Sequence, residues 1–273
     1  MNTVQKTRIL ALLVFVTSLF LLLSCDIFDS QELKPIESDI IFSVQEGYRD
    51  HDSVSEPTIM LSMATEKHYG CCNWQIVSEI GVQRSQIAVH ILGIYAPEIC
   101  LPAFGPAQST SFLEISEGKY SLYFYYRGVR DRYALTVTDS FVKVAGDVSQ
   151  LTKPEFELFW RYPPNSFVYL CGTTTETSWI CGDFLDTLSG EISLEEFEFP
   201  DSGEIPYPRL SMGHYYDMPA RYFYYEKDED FAEAGGILKS YTEDVIAQYS
   251  GVGISLTSWK NEKYRSWLFD DPE

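Results

Sequence analysis

Positive charge is what this chain has least of. Twenty lysines and arginines stand against 40 aspartates and glutamates, a formal net charge of −20. Nucleic acid is held chiefly by cations that neutralise phosphates, so that partner class is set aside. The same deficit leaves no basic patch for anionic lipid head groups. Outside residues 9–23 no apolar run approaches the roughly 20 residues that a bilayer-spanning helix needs. No G-x-S-x-G elbow, H-E-x-x-H pair or phosphate-binding P-loop occurs. Internal repeats and low-complexity segments are also missing.

What is present begins with the N-terminus. Lys6 and Arg8 precede an almost wholly apolar stretch from Ile9 to Leu23. That length suits the apolar core of a signal peptide, roughly 7–15 residues, better than a permanent span. The following Leu22-Leu23-Ser24-Cys25 resembles the lipobox of bacterial lipoproteins. The resemblance implies removal of residues 1–24, a diacylglycerol on the Cys25 sulfur, and a membrane partner reached through that anchor. Several acyl chains hold firmly because each buried methylene contributes about 0.8 kcal/mol. Residues 25–39 then form a polar lipidated tether. The expected location is the cell envelope outside the cytoplasm, with the outer membrane favoured over the inner.

Hydrophobic residues make up 45% of the chain and aromatics 15%, enough for a packed, strand-rich core. From Ile40 a series of short apolar runs is punctuated by glycine, proline and aspartate, which predicts about seven antiparallel strands over residues 40–146. Tyr120, Leu122, Phe124 and Tyr126 share one strand face, as do Tyr133, Leu135 and Val137. This pattern is that of a β-sandwich. The segment from Leu113 through Gly118-Lys-Tyr120-Ser-Leu122 to Tyr133-x-Leu135-x-Val137 resembles the Ig-like modules of bacterial surface proteins. The resemblance implies a fold and carries no function.

Residues 147–155 read as a linker, and 156–273 as a small α+β domain. Its strands are expected at "SFVYLCGT", "EEFEFP", "ARYFYYEK" and "GVGISLTSWKN". A short helix is expected around Phe184, Leu185 and Leu188. A longer one carries the stripe Phe231, Ala234, Leu238, Tyr241, Val245, Gln248, with acids at its start and Gly251 beyond its end. Gly235-Gly236 weakens the middle of that helix by roughly 1 kcal/mol per glycine.

Apart from Cys25, five cysteines remain: Cys71, Cys72, Cys100, Cys171 and Cys181. In an exported chain, spaced cysteines pair, and an odd number leaves one thiol over. One of Cys71 and Cys72 is expected to bond Cys100. Trp74 and Ile76 share the parity of Cys72, which favours Cys71. Cys171 and Cys181 flank a polar loop between strand-like segments and are expected to form the second bridge. A metal or redox module built on Cys71, Cys72 and His68 is the rival reading. Adjacent strand residues point to opposite faces, so the two thiols do not readily share an ion.

Ser211, His214 and Asp217 offer the elements of a hydrolase, although such triads usually converge from distant segments. The acidic runs 226–233 and 194–204 lack the spacing of an EF-hand loop. No cofactor, metal or catalytic residue is expected. Half of the aromatics in runs such as "YFYYEK" and "GHYYDMPARYFYY" should face solvent, where they suit a protein or glycan partner. The sequence therefore points to a binding or structural role at the envelope, with the aromatic and acidic surface of the second domain as the contact region. An extracytoplasmic hydrolase is the alternative.

Overall fold

The computed structural model describes residues 33–50, 52–146 and 149–269. The expected leader, the lipobox, Cys25 and most of the tether lie outside the described residues. The chain is strand-rich and builds two sheets.

The first sheet takes ten strands: β1 (Ile40–Gly47), β2 (Thr58–Tyr69), β3 (Gln75–Gln83), β4 (Gln86–Tyr95), β5 (Gly105–Phe112), β6 (Gly118–Tyr126), β7 (Val129–Val137), β8 (Phe141–Ala145), β9 (Thr152–Pro154) and β10 (Leu158–Trp160). Their spatial order is β10-β8-β7-β6-β4-β3-β5-β2-β1-β9. Alternation dictates the inner face: Leu122, Phe124, Tyr133, Leu135 and Val137 are all buried, beside Phe42 and Leu61. The sheet curls until its two ends share one core. Phe42 of β1 lies 4.6 Å from Phe124 of β6, although four strands separate them in the ladder. Two-residue turns close the sharpest hairpins. Arg127 and Gly128 both adopt positive φ between β6 and β7, the turn conformation whose twist matches that of the strands.

Three departures from expectation stand out. First, the sheet is mixed rather than antiparallel throughout: β4 runs parallel to β6 from Gln86↔Ser121 to His90↔Tyr125, and β1 runs parallel to β9. The all-antiparallel pairing of an Ig-like sandwich is not what these ladders show. Second, β5 runs from Gly105 to Phe112, a stretch with few apolar residues. Its inward positions are Gly105 and Ala107, small because a Cβ on Gly105 would stand 2.8 Å from Cys72 Cβ. Hydrophobic periodicity does not register such a strand.

Third, the expected linker is structural. Its residues 152–154 form β9, and 158–160, expected in the second domain, pair with β8 as β10. Asp131 holds this return: its carboxylate accepts the backbone N–H groups of Gln150, Leu151 and Thr152 at 2.9, 3.0 and 2.7 Å. The Tyr133 hydroxyl adds a bond to Thr152 O at 2.7 Å.

The second sheet is antiparallel, in the order β12-β14-β11-β15-β16, with β13 also on β11. These are β11 (Ser166–Thr173), β12 (Leu194–Phe197), β13 (Tyr216–Asp217), β14 (Arg221–Tyr225), β15 (Gly253–Ser258) and β16 (Lys263–Arg265). Helices α1 (Trp179–Glu191) and α2 (Asp228–Asp244) cover one face. They bury Phe184, Leu185, Leu188, Phe231, Ala234, Leu238 and Tyr241 against Phe167, Tyr169 and Leu256. The acids at the start of α2 do local work, since Asp230 accepts the N–H of Lys227 at 2.9 Å and that of Glu226 at 3.2 Å.

Helix α2 ends at Asp244, before the expected Gln248. A short 3-10 turn, 246–248, then buries Ile246 and leaves Gln248 exposed. Gly235 has a packing reason: a Cβ there would meet the Tyr264 ring at 2.5 Å.

The two sheets meet at the C-terminal end of β1. Glu46 pairs with Arg161, the Tyr48 hydroxyl donates to Trp259 O at 2.8 Å, and Asn261 Nδ2 donates to Ser53 O at 3.2 Å. The N-terminal segment docks at the other end, where Lys34 and Ile94 exchange backbone hydrogen bonds of 2.8 and 2.9 Å.

Candidate functional site

Three places concentrate chemistry. The first is a cleft of about 600 Å³ where the sheets meet, lined by Glu46, Tyr48, Arg49, Phe159, Tyr162 and Pro206 among others. Glu46 is 4% exposed. Burial drives its carboxyl above the ordinary glutamate value, and Arg161 only partly offsets this. Both carboxylate oxygens are engaged: Oε1 by Arg161 Nε at 2.8 Å, Oε2 by the Tyr162 N–H at 2.8 Å. Burial also pushes the Tyr162 phenol up to about 12. Every polar group with a role here is tied to the protein. These contacts tie the two sheets together at the cleft.

The second place is a groove of about 650 Å³ on the face of the second sheet opposite the helices. Its seat is made by glycines. A Cβ on Gly172 of β11 would fall 2.0 Å from His214 Nδ1, and one on Gly253 of β15 would fall 2.5 Å from Nε2. The imidazole therefore lies flat across two neighbouring strands, where any larger residue would displace it. Ser211, Ser255, Thr257, Lys263, Arg265 and Trp267 line the rest. Around the groove Leu210 is 49% exposed, Met212 84% and Trp267 50%. Arg265 sits over the Trp267 ring, 5.9 Å from its centroid.

Ser211 and His214 line this groove from the segment before β13, and Asp217 stands at the end of β13 beside them. Asp217 Oδ1 lies 3.5 Å from His214 Nδ1 and accepts the His214 backbone N–H at 3.3 Å. His214 Nδ1 makes no hydrogen bond among the described residues, so the 3.5 Å approach lacks donor geometry. No hydrogen bond joins Ser211 Oγ to the imidazole among the described residues, so the nucleophile–base link of a working triad is not formed here.

The third place is the cysteine-bearing end of the first sheet. The sulfurs of Cys71 and Cys100 are 2.03 Å apart, and those of Cys171 and Cys181 are 2.00 Å apart. Cys72 is unpaired and half-buried. Asn73 clamps the loop opposite, donating from Nδ2 to Ile99 O at 2.7 Å and accepting the Leu101 N–H at 3.1 Å. His68, the histidine weighed for this site, pairs with Pro106 across β2 and β5. No group of three metal-ligating side chains converges among the described residues.

Sequence reading named Ser211, His214 and Asp217 but missed their setting. Gly172 and Gly253 look like ordinary strand glycines until β11 and β15 pair at Gly172↔Gly253. Trp267 belonged to an aromatic C-terminal run with no indication of which surface it joins. No protein-family model, curated protein or solved structure matches the chain.

Proposed function

We propose that this chain is a lipid-anchored protein of the bacterial cell envelope, made of two modules, that binds a partner protein through the groove around His214 and Trp267. The two modules divide after Trp160, and two separate hydrophobic clusters support that division. The Leu22–Cys25 motif and the two cysteine pairs at bonding distance support an exported, oxidising setting. The role is binding or structural rather than catalytic.

One observation carries the binding reading. Leu210, Met212 and Trp267 stand exposed around a groove that also holds Arg265, in a chain with a net charge of −20. Tryptophan, methionine and arginine are the residues over-represented at protein contacts. Short apolar side chains framing one aromatic fit a peptide segment better than a sugar ring. The local cations favour a neutral or acidic segment. This region replaces the broader aromatic and acidic surface expected of the second domain.

The test is photo-crosslinking in living cells. A benzophenone side chain at position 212 or 267 should give one discrete protein adduct, while the same probe at Ile237, on the helical side, should give none. A sugar-containing adduct would move the reading to a glycan, and no adduct at either groove position would refute it.

The hydrolase reading keeps one supporting observation, the approach of Asp217 to His214 at 3.5 Å beside Ser211. It requires that a serine-directed phosphonate label Ser211. Absence of labelling under saturating reagent removes it.

A further inference from the structure

The loop between β4 and β5 is exposed from Glu98 through Phe104, and from Ile99 to Phe104 it carries no charge. Ile99 is 78% exposed, Leu101 52% and Phe104 84%. Consecutive exposed apolar residues of this kind are avoided on a free surface and mark a contact. The loop is also framed. The Cys71–Cys100 pair ties its middle, Asn73 holds Ile99 and Leu101 from the side, and the Cys72 N–H reaches Leu101 O at 3.3 Å. The apolar side chains are thus presented with much of the ordering cost already met by the fold.

The place where the described chain begins indicates what covers them. Lys34 bridges Ile94 near the C-terminal end of β4, so Leu33, where the described chain begins, lies at the same end of the sheet as this loop. Cys25 lies eight residues before Leu33, a separation of at most about 29 Å in any conformation. The second module packs at the other end of β1, a strand of eight residues spanning about 26 Å.

We infer that Ile99, Leu101 and Phe104 dip into the outer part of the bilayer that holds the acyl anchor. The molecule then stands upright, with the groove of the second module turned away from the membrane. This inference rests on the lipid-anchor reading above. With a net charge of −20, the fitting surface is zwitterionic lipid, because anionic head groups would repel the body of the protein.

The experiment uses the full chain, purified from membranes of a bacterium that processes it, in phosphatidylcholine vesicles with brominated acyl chains. Phe104→Trp adds one emitter to the five native tryptophans, and the difference from the parent reports position 104 alone. Leu101→Trp repeats the measurement at a second exposed position. The expected result is a blue-shifted difference emission that loses most of its intensity in brominated vesicles. Tyr215→Trp, on the second module, should keep its emission. The intact mass of the same sample shows whether residue 25 is lipidated. Lipidated protein with equal 104 emission in plain and brominated vesicles overturns the loop inference and leaves the anchor standing. A bare Cys25 with position 104 still quenched sinks the anchor and keeps the loop. Equal quenching at 104 and 215 overturns the upright orientation.

Discussion

Asp131 offers the sharpest mutational test of what holds the 150–152 return against the first sheet. It is 2% exposed, and its carboxylate accepts three backbone N–H groups and the Thr152 hydroxyl, the last at 2.8 Å. Asp131→Ala removes all four bonds and leaves the amides of Leu151 and Thr152 without acceptors in a buried setting. Each abandoned buried donor costs about 1–3 kcal/mol, so the expected loss is about 4 kcal/mol. A domain whose whole stability is roughly 5–15 kcal/mol would feel this strongly.

The assay is urea unfolding of the oxidised protein, followed by near- and far-ultraviolet circular dichroism. A loss under about 1 kcal/mol would refute the view that Asp131 pins the 150–152 return, since even one stranded amide exceeds it. Acid titration adds a signed check. Burial pushes the Asp131 carboxyl up, but its hydrogen bonds outweigh burial and leave it below the ordinary aspartate value. A carboxyl depressed in the folded state stabilises above its unfolded pKa of about 3.9 and loses that contribution as pH falls through the folded value. The gap between parent and Asp131→Asn should therefore narrow below about pH 4. A gap that stays constant through that range contradicts the argument.

Three further outcomes follow from the same packing. Arg161→Ala leaves Glu46 buried with only the Tyr162 N–H, and should cost about 2–4 kcal/mol at pH 7. Because the Glu46 carboxyl is raised, this penalty should shrink as pH falls through its folded value and the group becomes neutral; a pH-independent penalty in denaturant titrations would contradict it. The adjacent helix glycines should answer alanine with opposite signs in thermal melts. Gly236→Ala meets nothing within 4 Å and should gain up to about 1 kcal/mol, whereas Gly235→Ala drives a methyl into Tyr264 and should lose about 1–3 kcal/mol. Finally, thiol titration of denatured, unreduced mature protein should find one sulfhydryl, Cys72; three would dissolve one cysteine pair and five would dissolve both.

The strands and helices with strong periodicity were legible from residue order alone. The inward sets Leu122–Phe124 and Tyr133–Leu135–Val137, and the helix faces at Phe184 and Phe231, follow from spacing and burial. Long-range features were not legible. Nothing local distinguishes the parallel neighbour β6 from an antiparallel one beside β4, because both alternate with the same period. The return strand at 152–154 is held in part by Asp131, 21 residues before Thr152, which looks like any polar strand residue. The groove has the same character. Its histidine was visible, but the two glycines that seat it lie on strands about 80 residues apart and gain meaning only when those strands pair. In the sequence the apolar stretch Ile99–Phe104 stands out only for Cys100, and its exposure emerges once the Cys71–Cys100 pair and the Asn73 clamp frame it.

The central claim is export followed by anchoring through residue 25, and intact-mass spectrometry of protein taken from the native membrane tests it most directly. The account requires a polypeptide that begins at Cys25, heavier than its sequence by a diacylglycerol group, with its downstream cysteines oxidised in two pairs. A polypeptide that still carries residues 1–24 with an unmodified Cys25 would contradict it.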